Sequence, residues 1–142
     1  MTINSAAVVI NAGSVLWIPI VIVKPKSILC WSFTMKEYNC GFGVAKSKDM
    51  NIESFIIPKE VYEPNKEVKG SVVIENPQTV YLLWDNSFSW IRSKTVVYSI
   101  SIEQPQDPIE DKQKAALYFL YISLIVELSI MILVHPKKRL LT

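Results

Sequence analysis

The chain predicts an all-β protein, a jelly-roll or Greek-key β-sandwich of about eight antiparallel strands, followed by one C-terminal α-helix. Short β-branched and aromatic runs recur through roughly the first hundred residues. Gly, Pro, Asn or Asp closes most of them, and no helical period lies between them. Two runs alternate strictly: Leu29, Trp31 and Phe33 against Cys30 and Ser32, and Val96, Tyr98, Ile100 and Ile102 against Thr95, Val97, Ser99 and Ser101. A strand repeats every two residues, so each set lies on one face and only one face needs burial. The third observation is a single unbroken apolar block, residues 115–134, too long for a strand.

The elements follow in order. Residues 7–10 and 15–23 are β-branched runs separated by the turn composition Asn11-Ala12-Gly13. The second run is apolar on both faces but too short to span a bilayer. No Lys or Arg precedes it, so it lacks the charged start of a signal peptide. Pro19 inside it predicts an edge or bulged strand. Residues 28–34 form the alternating strand, and residues 35–39 a polar loop. In 40–44, Cys40, Phe42 and Val44 point inward. Gly41 and Gly43 leave the other face bare, so a neighbour can lie close against it. The glycine spacing is not that of a phosphate loop.

Residues 53–62 predict a strand broken at Pro58, 63–70 a charged turn and 71–74 a short strand. Asn76-Pro77 turns the chain into 80–84, where Val80, Leu82 and Trp84 share a face and Tyr81 and Leu83 the other. Asp85-Asn86-Ser87 is a turn, and 95–102 the last strand.

At Gln104-Pro105-Gln106 the composition changes, and Asp107-Pro108-Ile109-Glu110 is a helix start: a capping Asp, Pro at the first helical position and an acid in the first turn. Residues 105–114 are linker and helix start, 115–134 a transmembrane helix and 135–142 a basic tail. Twenty residues at about 1.5 Å each give about 30 Å, the thickness of the hydrocarbon core. Glu127 opposes insertion by about 2.5–3.5 kcal/mol, but the block's twelve Leu, Ile, Phe and Val residues return about 4–7 kcal/mol. Tyr118 and Tyr121 near one end and Lys137-Lys138-Arg139 beyond the other fit interfacial anchoring. Glu127 shares a helix face with Ser123. It is either a polar contact to another membrane helix, giving a helix-mediated oligomer, or an acid that inserts protonated or snorkels.

Function classes narrow by chemistry. Net charge is +2 with the cations scattered, which is no nucleic-acid footprint. The only histidine, His135, lies at the far end, so no His-based triad, multi-His metal site or cofactor site is predicted. Cys30 and Cys40 point to opposite faces, a geometry poor for a disulfide, and read as free thiols of a reducing compartment. Asp85, Asn86 and Ser87 suit turn capping better than a nucleophile's neighbourhood. Trp84, Phe88 and Trp90 read as core around a sandwich corner or as a ligand platform, and Arg92 and Lys94 as exposed cations at a partner surface or on a solvated edge.

The segment Val80-x-Leu82-x-Trp84-Asp85-Asn86-Ser87-Phe88-Ser89-Trp90-x-x-Ser93-Lys94 carries a resemblance. So do Pro77 before it, Leu29-x-Trp31-x-Phe33 and Gly41-Phe42-Gly43-Val44. Together they closely resemble the GOLD (Golgi dynamics) domain over residues 6–104, in the version found in lipid-transfer proteins of the CRAL-TRIO class. The resemblance implies a non-catalytic β-sandwich that binds proteins in Golgi and endosomal traffic. It implies core roles for Trp31, Phe33, Phe42 and Trp84, and a hallmark corner at Asp85, Asn86 and Ser87 leading through Ser93 and Lys94 into the last strand. Asn39-Cys40 stands where the family has Asp-Ile, and Gln78 where it has Gly after Pro77, so that turn must tolerate a side chain.

Four readings follow. The first is a tail-anchored adaptor with a cytosolic sandwich on Golgi, ER or endosomal membranes, motivated by the absent signal and the late span. The second resembles the cargo receptors, with a lumenal domain; the basic tail favours that orientation, but the ten residues 105–114 leave no room for their coiled coil. The third is a soluble protein with its helix packed on the apolar second strand. The fourth is a lipid or small-ligand carrier that uses the sandwich interior.

Overall fold

The computed structural model describes residues 2–134, so His135, Lys137-Lys138-Arg139 and the expected basic tail lie outside the described residues. Eight antiparallel strands form two four-stranded sheets. Strands β1 (Thr2–Ile10), β8 (Lys94–Glu103), β3 (Ser27–Lys36) and β6 (Glu67–Ile74) are neighbours in that order in one sheet. Strands β2 (Val15–Ile22), β7 (Gln78–Asp85), β4 (Cys40–Ala45) and β5 (Phe55–Tyr62) make the other. Successive strands change sheet at every connection except β4 to β5, the winding of a jelly roll. A single 3-10 turn, Ile52–Ser54, interrupts the β4–β5 connection.

Alternation sets the core. Leu29, Trp31, Phe33 and Met35 of β3 face Val80, Leu82 and Trp84 of β7 and Cys40, Phe42 and Val44 of β4, all buried. Trp31, Phe33, Phe42, Tyr62, Trp84 and Tyr98 join the two sheets as one aromatic cluster, with ring centroids 4.6–6.1 Å apart. Each large side chain so enclosed contributes about 1.5–3 kcal/mol relative to exposure. These rings fill the space between the sheets. The bare face of β4 is covered: Phe55 ring carbons lie 3.0–3.1 Å from where a Cβ on Gly43 would stand, and Asp85 lies over Gly41.

Several boundaries differ from the sequence reading, each for a physical reason. Strand β1 begins near Thr2 rather than at residue 7, because β8 is long enough to pair with it from Thr2 opposite Ser101. Met35 belongs to β3 and is fully buried instead of opening a polar loop. Residues 67–70 are strand, not turn: Glu67, Lys69 and Ser71 face solvent while Val68 and Val72 pack on the core. Pro58 does not break β5. That strand is an open edge whose ladder with β4 shifts register between Phe42 and Val44, so a missing N–H removes no bond. Pro19 sits on β2, the other edge of the same sheet.

The chain divides into two compact units after Pro105. The second holds helix α1 (Pro108–Val134), 27 residues, opened by an Asp107 carboxylate that accepts from the Ile109 N–H at 2.9 Å. The helix is long and apolar enough to cross a bilayer, and none of its residues is buried.

Candidate functional site

At one end of the sandwich the turn 11–14, the loop 37–39, the turn 63–66 and the loop 86–93 come together. The organiser is Asn86, which has no exposed surface. Its side-chain nitrogen donates to the carbonyls of Ile10, Asn11 and Arg92 at 3.2, 3.2 and 2.9 Å. Its backbone N–H donates to Ser14 O at 2.9 Å, and its carbonyl accepts from Gly13 and Ser89. Gly13 takes φ +75°, the left-handed turn that lets its N–H reach Asn86. One side chain thereby ties the first turn of the chain to the last.

Asp85 is nearly enclosed, its side chain 4% exposed. It accepts from Lys59 Nζ at 2.6 Å and from the Ser87 N–H at 2.8 Å. Burial alone would raise its pKa, but the hydrogen bonds from Lys59 and Ser87 and the Lys59 charge outweigh it and hold the carboxyl below the usual range. The Asp85 carbonyl accepts from the Cys40 thiol at 3.2 Å. Burial pushes that thiol up to about 11, against the attraction of nearby Lys94, so it is held as the protonated thiol at neutral pH.

The expected site residues separate into two sets. Trp31, Phe33, Phe42 and Trp84 lie in the core, and Gly41 and Gly43 on the outer face of β4. Asp85, Asn86, Ser87, Trp90, Arg92, Ser93 and Lys94 gather in the loop 86–93 and its flanks. Glu127 belongs to the helix unit. Two expectations are corrected here. Lys94 is no exposed cation: it is 4% exposed, donates to Asn39 O at 2.8 Å, and holds its ammonium 4.6 Å from the centre of the Phe88 ring. Phe88 and Trp90 are not core as Trp84 is: they are 50% and 94% exposed, with Ile91 90% exposed beside Trp90. The loop closes through the Ser89 hydroxyl, which donates to Arg92 O and accepts the Arg92 N–H, so its outermost residues Trp90 and Ile91 have no inward path. Arg92 is exposed and lies 4.5 Å over the Tyr38 ring.

Sequence reasoning missed Lys59, Ile91 and Tyr38. Bare Gly41 signalled a close neighbour on that face. Nothing in the order of residues says that Lys59, 26 positions before Asp85, would be it.

The fold and this end of it define a jelly-roll sandwich with a filled interior and a pinned, aromatic-tipped loop. No family model matches the chain, and no curated protein matches it.

Proposed function

We propose that the chain is a GOLD-type interaction module, non-catalytic, held at a membrane by its C-terminal helix and binding protein partners with its sandwich. The observation that carries the reading is the loop 86–93: an ordered loop, pinned by Asn86 and Ser89, that holds Trp90 and Ile91 in solvent beside Arg92. Exposed Trp with a neighbouring Arg is the composition of a binding anchor, and holding the loop rigid lowers the ordering cost of association. The interior, occupied by the protein's own aromatic rings, favours a surface partner over a carried ligand. The corner Trp84-Asp85-Asn86-Ser87 and the Gly41-Phe42-Gly43 segment meet through Asp85, which supports the GOLD resemblance over its two motifs. Unpaired Cys30 and Cys40 support a cytosolic sandwich, and the Golgi, ER or endosomal setting comes from the resemblance.

A photo-crosslinking residue at position 90 of the membrane-bound full chain tests the reading. The expected result is a discrete protein adduct that is absent with the crosslinker at Lys69, on β6, and is lost in an Ile91→Ser, Arg92→Ser background. Equal labelling at both positions, or release of the chain from membranes by alkaline carbonate, would overturn it. A glycosylation sequon added after Thr142 reports orientation: modification there means that end is lumenal and the sandwich cytosolic.

A further inference from the structure

The opposite end of the sandwich carries a second surface, unused by the site above. It holds the connections 23–26, 46–54 and 75–77, the first tied to the last by Lys26 N–H donating to Glu75 O, with Ser27 Oγ donating to Lys24 O inside the first turn. Strand β8 finishes there, with Glu103 opposite Ile28. Three apolar side chains project from its tips: Val23 at 67% exposure, Met50 at 41% and Ile52 at 90%. Exposed Lys24, Lys26, Lys46 and Lys48 accompany them.

The loop that bears Met50 and Ile52 is built to hold its shape. Asp49 accepts from Ser47 Oγ at 2.8 Å, Ser54 Oγ at 2.6 Å and the Asn51 N–H at 2.9 Å. These bonds hold its carboxyl below the usual range and occupy it fully. Ile52 then stands beside a surface groove of about 380 Å³ lined by Met50, Phe55, Pro58 and Lys59. A fixed loop that exposes a large aliphatic residue is a poor arrangement in water and a good one at an apolar boundary.

We infer that this end is a lipid-docking surface: Val23, Met50 and Ile52 enter the interfacial zone of a bilayer, and the four lysines engage anionic headgroups. The inference rests on the membrane-held reading, because the tether names the occupant. Only four residues separate Glu103 from Pro108. They span at most about 14 Å, and the seven helix residues before the apolar block add about 10 Å. A bilayer entered by that block is therefore within reach of this end of the sandwich. The acids at the same end, Asp49, Glu53, Glu75 and Glu103, equal the four lysines in number, so entry of the apolar tips carries the docking and the lysines add local contacts with anionic headgroups. Each basic residue near an anionic surface adds attraction that fades beyond a Debye length.

The test uses the full chain reconstituted into vesicles of phosphatidylcholine, with or without phosphatidylserine. An environment-sensitive fluorophore is placed at Ile52→Cys or, at the opposite end, at Glu63→Cys, both in a Cys30→Ser background. Cys40 is buried and escapes labelling. The expected result is a blue shift at position 52, quenching there by spin-labelled lipid that deepens with phosphatidylserine, and water-like emission at 63. Replacing Lys24, Lys26, Lys46 and Lys48 with Glu should return position 52 to the behaviour of 63. Carbonate-resistant protein with water-like emission at 52, or a blue shift there without lipid quenching, overturns the docking surface and leaves the anchor standing. Loss of the protein from carbonate-washed vesicles overturns both.

Discussion

Asn86 donates to three backbone carbonyls from one side-chain nitrogen: Ile10 ends β1 opposite Lys94, while the Asn11 and Arg92 carbonyls also accept from the Ser14 N–H and the Ser89 hydroxyl. Removing a donor from buried carbonyls costs about 1–3 kcal/mol for each acceptor left bare. Asn86→Ala leaves two of the three acceptors with another donor and should therefore lose about 1–3 kcal/mol by urea denaturation, still a sizeable share of the stability of a domain this size. Asp85 makes a prediction with a sign. Its folded pKa lies below the ordinary 3.8, so its contribution is complete above that value and fades as pH falls through the lower folded one. Stability of the wild type should drop as pH is lowered below about 4, and Asp85→Asn should flatten that segment of the curve while being less stable at pH 7. Gly70 makes a third. A Cβ there would stand 2.4–2.7 Å from the Trp31 ring, so Gly70→Ala forces a core indole to move. Overpacking of that kind costs about 1–3 kcal/mol, read as a lower denaturation midpoint.

Elements show what was legible in the sequence and what was not. Period-two alternation made β3 and β8 readable, because each buries one face and the pattern survives without knowledge of the partner strand; β7 was legible as a short apolar run closed by turn residues, and it buries both faces at its end. The first half of β6, residues 67–70, was hidden although 71–74 was legible as strand: Glu67 and Lys69 face water, and Gly70 contributes no side chain because Trp31 occupies its space. The loop 86–93 was legible only as a turn at Asp85-Asn86-Ser87. Aromatic content drew Trp90 toward the core, while its exposure follows from the Ser89–Arg92 closure, which composition does not encode. That exposure separates function from stability. Trp90→Ser with Ile91→Ser removes side chains at least 90% exposed and should change unfolding free energy by less than about 0.5 kcal/mol, while Ile91→Ser alone should weaken the protein adduct formed from position 90. A large loss of stability would instead mean that the loop supports the sandwich.

At the scale of the whole molecule, the membrane-held reading proposed above has hydrophobic side chains serving two solvents. In the sandwich they alternate, meeting each other inside and water outside; in the helix they are continuous around the axis, which is stable only where the surroundings are apolar. The exception is Glu127, four residues after Ser123 and therefore on the same face. An acid costs about 2.5–3.5 kcal/mol at the centre of a span, so a sequence that keeps it forgoes roughly half of what its aliphatic residues supply. Contact with the same face of a second copy recovers part of that loss, since a hydrogen bond between helices in lipid is worth about 0.6–2 kcal/mol. Two effects of Glu127→Leu follow and they run in opposite directions. Insertion of the helix in a glycosylation-reporter assay should become more complete, and energy transfer between differently labelled full-length chains in vesicles should fall toward the random-proximity level. Glu127→Gln, which keeps a donor and acceptor but no charge, should insert less completely than the Leu variant and yet retain the transfer. If transfer is unchanged in the Leu variant, the acid does not pair the helices, and its place in the span is only a cost.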